Sequence, residues 1–332
     1  MRADSESVVG GKCNLPIFRH IYPGVSDVTP ARISMRSLST RARLISFLRT
    51  PIIKPLSTTR SMASNHGPPP PRPAFDPKPS FKFTQPPNPN WKFGQGLTDE
   101  AVGGKDWKEA YQAGYKTFDT TKEEPGAIYK LLISGVTPRP IAFVSSVSPD
   151  GVPNLAPFSY FQVVSHDPPL LMVAFSHPPG REKDSCANIR QTKEFTVNII
   201  SEPFVEAANF TAVDAPAGEN EWTGSGLTPE PSTAVGPPRV QESAFSMECE
   251  LHKIDDFHSD RNPDHLSTSL VVGRIKLIHL RKDVLTEKNT ADAEKLKAIS
   301  RLGDITYARI GDGFQIPRPS WKDVEGEYRK TA

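Results

Sequence analysis

A chain of 332 residues is long enough for one large domain or two small ones with a proper core. Its 40 lysines and arginines nearly balance 38 acids, which removes the electrostatic footprint of a nucleic-acid binder. No apolar run reaches the length of a helical membrane span. Cys13, Cys186 and Cys249 are far apart, odd in number and without metal-ligand spacing, which points to a reducing compartment rather than a disulfide framework.

Between Val28 and Ala74 there is no Asp or Glu, while Arg32, Arg36, Arg41, Arg43, Arg49, Lys54, Arg60 and Arg72 fall there. Leu38, Leu44, Ile45, Phe47 and Leu48 interleave with these cations. An arginine-rich, serine-rich, acid-poor leader has the composition of a mitochondrial transit peptide, so residues 1–61 are expected to carry that address. A plain basic tail on a cytoplasmic protein is the alternative. Asp4 and Glu6 interrupt the pattern, and starts at Met1, Met35 or Met62 would leave three different leaders.

Residues 62–117 read as a proline-rich arm. From His66 to Asn90 the prolines remove amide donors and favour an extended polyproline conformation. This stretch is therefore expected to stay out of any sheet and to act as a semi-rigid spacer. Trp91, Phe93, Trp107 and Tyr111 are more aromatics than a linker needs, and are expected to pack back onto the domain that follows at 118–312. A tail at 313–332 closes the chain.

Within the domain, Gly126–Ser134 has Ile128, Leu131 and Leu132 on one helical face. Ile141–Val147 is a β-branched and aromatic run ended by Pro149-Asp-Gly151, hence a strand and a turn. Phe158–Val164 and Leu170–Phe175 predict two more strands, Lys183–Thr192 a helix, Phe195–Ile200 a strand and Pro203–Phe210 a helix. Asp214–Val240 is a long Gly/Pro-punctuated loop, of the length that is functional or covering in a compact domain. Phe245–Ile254 and Leu266–Leu280 predict a hairpin, and Leu285–Leu302 a helix. Strands in series with a few short helices, without regular βαβ alternation, favour a mainly β barrel over a doubly wound sheet.

Three stretches carry chemistry. Lys183 and Ser185 open a predicted helix, where free amides and the helix dipole favour an anion, and Asn188 follows one turn later. An ordinary capped helix has the same look. Asn154-Leu-Ala-Pro-Phe-Ser159 starts a strand with a proline inside, which either leaves amides free for a ligand or marks a bulged edge. Thr137-Pro-Arg-Pro140 fixes the backbone around Arg139, whose guanidinium can hold a phosphate or ring of a ligand, or a carboxylate within the fold.

Taken in order, these stretches, with Glu194-Phe-Thr-Val-Asn198 and Arg301-Leu-Gly303 before Tyr307, strongly resemble the flavin reductase-like family. The resemblance runs from Phe118 to Ile310. It implies a mainly β fold with short helices: an FMN-binding split β-barrel, dimeric, with the flavin near the subunit interface. On that resemblance Lys183, Ser185 and Asn188 serve the FMN phosphate, and Asn154, Ala156, Phe158 and Ser159 lie along the flavin ring. Ser145 and Ser146 match a Ser-Thr-like pair beside the cofactor, with Arg139 and Pro140 adjoining. The family usually has threonine at the position of Ser185, and many members have a second glycine at that of Asp304.

The implied activity is flavin-dependent oxidoreduction, with NADH or NADPH as a transient reductant and free flavin, oxygen, a small molecule or a partner protein as acceptor. A flavin-bound oxygenase or oxidase acting on its own organic substrate, with Asp214–Val240 as a lid, is the first rival. A non-enzymatic flavin-binding or electron-carrier module is the second. No residue stands out as a catalytic acid or base. The chain lacks a Gly-x-Gly-x-x-Gly after a strand, hence a Rossmann dinucleotide site. His252, Asp255, Asp256, His258, Asp260, Asp264 and His265 lack metal-ligand spacing and read as a solvated hairpin tip, so no metal is expected. Cys186, without a partner cysteine, reads as a small helix-face residue.

Overall fold

The structure, a computed structural model, describes residues 72–77, 81–216 and 218–331. The basic leader, its expected address and Cys13 lie outside the described residues. Seven antiparallel strands form one sheet: β1 (Ala142–Val147), β2 (Pro153–Phe158), β3 (Phe161–His166), β4 (Pro169–Ser176), β5 (Glu194–Asn198), β6 (Phe245–Ser259) and β7 (Asn262–Leu280). Their order is β2-β1-β5-β6-β7-β4-β3. The two edge strands, β2 and β3, are thus consecutive in sequence, joined only by Ser159 and Tyr160. Hydrogen bonding does not close the sheet, and the fold is a split barrel whose slit lies at that junction.

Both faces of β1 are covered, so its sequence Ala-Phe-Val-Ser-Ser-Val is buried almost throughout rather than alternating. Ala142 and Val144 point into an inner core with Phe175, Phe195, Val173 and Val271. Ile141 and Phe143 join an outer core with Leu155, Ile200, Phe204 and Trp222. Phe143, Phe175 and Phe195 are fully buried, each contributing about 1.5–3 kcal/mol relative to exposure. The outer layer comes from α3 (Val205–Phe210) and α4 (Glu221–Ser225). Earlier in the chain, α1 (Pro125–Gly135) begins at a proline that needs no amide partner, and α2 (Asp184–Thr192) follows β4.

Five expectations change. The predicted strand Phe158–Val164 is two strands, because Pro153–Phe158 pairs with β1 at every position. The proline in Asn154–Ser159 does not break that ladder. Pro153 and Pro157 sit at alternate positions facing away from β1, where an edge strand needs no amide donor. The predicted helix Leu285–Leu302 shrinks to one turn at Ala293–Leu296, capped by the Asp292 carboxylate. Asn289 and Lys297 take positive φ, and Ile299–Arg301 runs on as a strand against Tyr307–Arg309. Burial of Val284 and Ile299 overrides the local helix propensity.

The arm does join a sheet: Phe83–Thr84 pairs in parallel with Gly313–Phe314. The window Phe81–Gln85 is free of proline and keeps its amides, which is why pairing occurs there. Of its aromatics, Phe93 meets Tyr328 of the C-terminal helix Trp321–Thr331 at 6.2 Å between ring centroids, while Trp107 and Tyr111 stay exposed. The long loop Asp214–Val240 is structured. Beyond α4 it is fastened by the fully buried Glu248, which accepts from the Thr233 amide at 2.8 Å, the Ala234 amide and His279 Nε2. Burial alone would raise the Glu248 carboxyl, but these donors outweigh it and hold the group below its ordinary value.

Candidate functional site

The barrel's slit opens as a cavity of about 290 Å³ between β2 and α2. One wall is the end of β2, with Ala156, Pro157, Phe158 and Ser159; α1 adds Tyr129 and Ile133. The far end is polar, built from Arg181, Lys183 and Ser185 at the start of α2. Phe158 is braced edge-on against Phe175, with centroids 4.5 Å apart, so the apolar wall is rigid.

The α2 end is open to an anion. No side chain caps the helix, so its first-turn amides keep their donor capacity. Asn154 Nδ2 donates to Ser185 Oγ at 2.8 Å, leaving the serine hydroxyl hydrogen for another acceptor. Arg181 is engaged with Asp184 (3.0 Å) and Asp214 (3.7 Å). Lys183 forms no ion pair among the described residues, although it lines the same cavity. At the slit itself, the Ser159 and Tyr160 amides donate to no other described residue. Burial raises the Tyr160 phenol above its ordinary value, with Tyr129 adding to the effect, so the phenol keeps its proton and stays a donor.

Six of the sequence candidates meet in this cavity: Asn154, Ala156, Phe158, Ser159, Lys183 and Ser185. Five do not line it. Arg139 is buried and donates to the carbonyls of Ile133, Val136 (3.0 Å) and Leu302 (2.8 Å), closing the end of α1. Its Nε reaches Ser159 Oγ at only 3.4 Å. Ser146 accepts from Asn188 Nδ2 at 3.1 Å, which pins α2 to β1 beneath the cavity. Ser145 is fully buried with an unpartnered hydroxyl. Pro140 faces a different hollow.

Sequence reading missed Glu221, Tyr129, Tyr160 and the segment Thr211–Ala215, all of which line the cavity. Glu221 accepts the Leu155 amide at 3.2 Å. That amide is the one outward-facing donor between Pro153 and Pro157, so the carboxylate finishes the capping of the β2 edge. Burial raises its pKa. Nothing in the local sequence signals this, because the contact spans 66 residues. The loop Asp214–Val240 contributes Asp214, Ala215 and Glu221 to the cavity, packs α4 on β2 and α3, and ties its later part to β5 and β6.

The hollow reached by Pro140 is larger, about 690 Å³, and mainly apolar. Ile141, Phe161, Val163, Ile275, Ile278 and Ile310 help to line it. Val163, Ile278 and Ile310 are about half exposed, at 52%, 56% and 49%.

Residues 134–298 match the flavin reductase like domain. The uncharacterized protein YwrF of Bacillus subtilis is 39% identical over 193 residues, spanning 58% of this chain and 93% of that protein. Among solved structures, nitrilotriacetate monooxygenase component B from Bacillus cereus is 36% identical with a TM-score of 0.59, over 61% of this chain and 99% of that one. The 2-nitrobenzoate 2-nitroreductase NbaA of Pseudomonas fluorescens is 29% identical with a TM-score of 0.55, over 62% of this chain and 98% of that one. With β2, β4 and the start of α2 lining the cavity inside the matched span, the chain belongs to the flavin reductase-like family.

Proposed function

We propose that the protein is an NAD(P)H-dependent FMN reductase that holds FMN in the slit of its barrel. The observation that carries this reading is Lys183, a cation without an ion pair among the described residues, at an uncapped helix start and the polar end of a cavity with an apolar wall. The residues present fit the cofactor. Lys183, the Ser185 hydroxyl and the first amides of α2 suit a phosphate. Phe158 and Ala156 offer a flat apolar face, and the Ser159 and Tyr160 amides offer donors to a ring edge. Bound flavin supplies the hydride and electron chemistry; the chain binds it, orients it and shields one face from water.

Nitrilotriacetate monooxygenase component B is by name one component of a monooxygenase, which supports delivery of reduced flavin to a partner. The nitroreductase neighbour supports a second reading, in which the flavin stays bound and a small organic substrate enters the slit. A second copy of the chain over the 690 Å³ apolar hollow is the homodimer that fits this fold best, since Val163, Ile278 and Ile310 otherwise face water. We place the protein in mitochondria on the composition of residues 1–61, a reading that a fluorescent fusion of the full chain tests.

Two measurements test the activity. Purified protein incubated with excess FMN and then desalted should keep flavin absorbance bands; their absence rejects the cofactor. NADH or NADPH consumption should then depend on added free FMN. Turnover of a nitroaromatic or other organic acceptor by the loaded protein, without free FMN, would favour the second reading.

A further inference from the structure

The turn that leads into α2 is held from behind by one imidazole. His177 follows β4 directly, and its Nδ1 accepts the backbone N–H of Lys183 at 3.1 Å. Because an N–H points at Nδ1, that nitrogen carries no proton, and the neutral ring carries its hydrogen on Nε2. Nε2 lies 2.9 Å from Ser269 Oγ on β7, and the Ser269 hydroxyl donates to Asp256 Oδ1 on β6 at 2.6 Å. Arg190 of α2 closes the network, with Asp256 at 2.8 Å and Glu182 at 3.1 Å. The backbone of His177 is tied as well: its N–H donates to the Ser267 carbonyl, and its carbonyl faces His265 Nε2 at 3.2 Å.

His177, Glu182 and Cys186 bring ligand-type atoms within 4.8 Å of one another, which invites a metal. The bonding argues otherwise. Both imidazole nitrogens are engaged, and Glu182 is paired with Arg190. Burial, with a hydrogen bond to Glu182, pushes the Cys186 thiol up to about 12, so it stays protonated. A hydrogen-bonded buttress accounts for every one of these groups.

We propose that His177 is a positioning residue for the cofactor: as the neutral Nε2–H tautomer it accepts the Lys183 amide and thereby fixes Lys183 and Ser185 for the FMN phosphate. This rests on the phosphate placement proposed above. Only an acceptor at Nδ1 serves, so a second proton there would set N–H against N–H and release the turn. The groups facing the ring are Glu182 and Lys183 in the turn, Cys186 and Arg190 on α2, Asp256 on β6, and His265 and Ser269 on β7. Burial lowers the imidazole below its ordinary range, with Arg190 and His265 adding to that and Glu182 and Asp256 opposing it. The neutral ring, and the turn with it, is therefore fully held above the ordinary histidine value and lost as pH falls through the lowered one.

The test compares His177→Asn, whose Oδ1 replaces the Nδ1 acceptor but does not titrate, with His177→Leu, which offers no acceptor. Dissociation constants for FMN and riboflavin are read by flavin fluorescence from about pH 5 to pH 8. His177→Leu should weaken FMN about tenfold and leave riboflavin unchanged, the loss of one part-buried hydrogen bond at the phosphate end. His177→Asn should keep FMN affinity near pH 8 and lose less of it in acid than the parent, retaining only the slope from the phosphate's own ionisation near about 6. Ring ¹⁵N shifts of the flavin-free protein should report the Nε2–H tautomer.

Unchanged FMN binding by His177→Leu, equal losses for FMN and riboflavin, a His177→Asn variant as weak as the leucine one, or an Nδ1–H tautomer would each overturn the inference. Failure of the parent reading looks different. Lys183→Ala would then leave the FMN-to-riboflavin ratio unchanged while the Nε2–H tautomer stands.

Discussion

At the scale of residues, the site depends on which polar groups are spoken for and which are not. Arg181, Asp184 and Arg190 are all paired within the fold, whereas Lys183 has no ion pair among the described residues. Its removal should therefore cost ligand binding more than stability. Lys183→Ala removes a charge-assisted bond of about 1.5–3 kcal/mol, so FMN affinity should fall about ten- to a hundredfold. Riboflavin, which lacks the phosphate, should bind as before. Titration of both ligands against both proteins checks this, and a parallel loss of riboflavin would point to a damaged cavity instead. Arg139 shows the converse case: its motif was legible, but its donors satisfy the carbonyls at the end of α1 rather than a ligand. Asp304 takes φ +54, a left-handed backbone that favours glycine, the residue the family resemblance implies at this position.

At the scale of elements, the slit exists because β2 and β3 are consecutive edges, and each edge must be protected. On β2 the protection comes from Pro153, Pro157 and the Glu221 carboxylate over the Leu155 amide. On β7, the Phe195 ring from β5 lies so close over the backbone that only glycine fits at Gly273. A Cβ there would lie 2.4 Å from Phe195 Cζ and 3.3 Å from Leu171 Cδ1. Phe195 is fully buried and cannot swing aside, so Gly273→Ala should destabilise by about 1–3 kcal/mol. Urea denaturation should show a lower midpoint with an unchanged slope. A stability equal to the parent's would mean that the hairpin yields there, at the register shift between Val272 and Gly273.

At the scale of the whole molecule, an apolar hollow of about 690 Å³ next to half-exposed Val163, Ile278 and Ile310 is costly to leave in water. Light scattering should give twice the subunit mass for the intact chain. Ile278→Glu, which places a charge in that face, should shift the population to monomer with the fold retained by circular dichroism. A monomeric parent protein would remove the proposed homodimer, and FMN retention by the Ile278→Glu monomer would show that one subunit is enough to hold the cofactor.

What the sequence determined by itself was most of the strands of the seven-stranded sheet and the helix start at Lys183. β-branched runs such as Ala142–Val147 and the signature Lys183-Asp-Ser-Cys-Ala-Asn188 are local, and propensity or spacing reads them directly. The stretch from Asn154 to Ser159 was picked out by its resemblance to a family motif, since propensity left it open between free amides and a bulged edge. Only the tertiary structure decided the rest, because each remaining feature joins residues far apart in the chain. Glu221 meets Leu155 across 66 residues, and His177 meets Ser269 across 92. Leu285–Leu302 failed as a helix for a related reason: Ile299 had a better place to bury itself against the outer core than a helix face could offer.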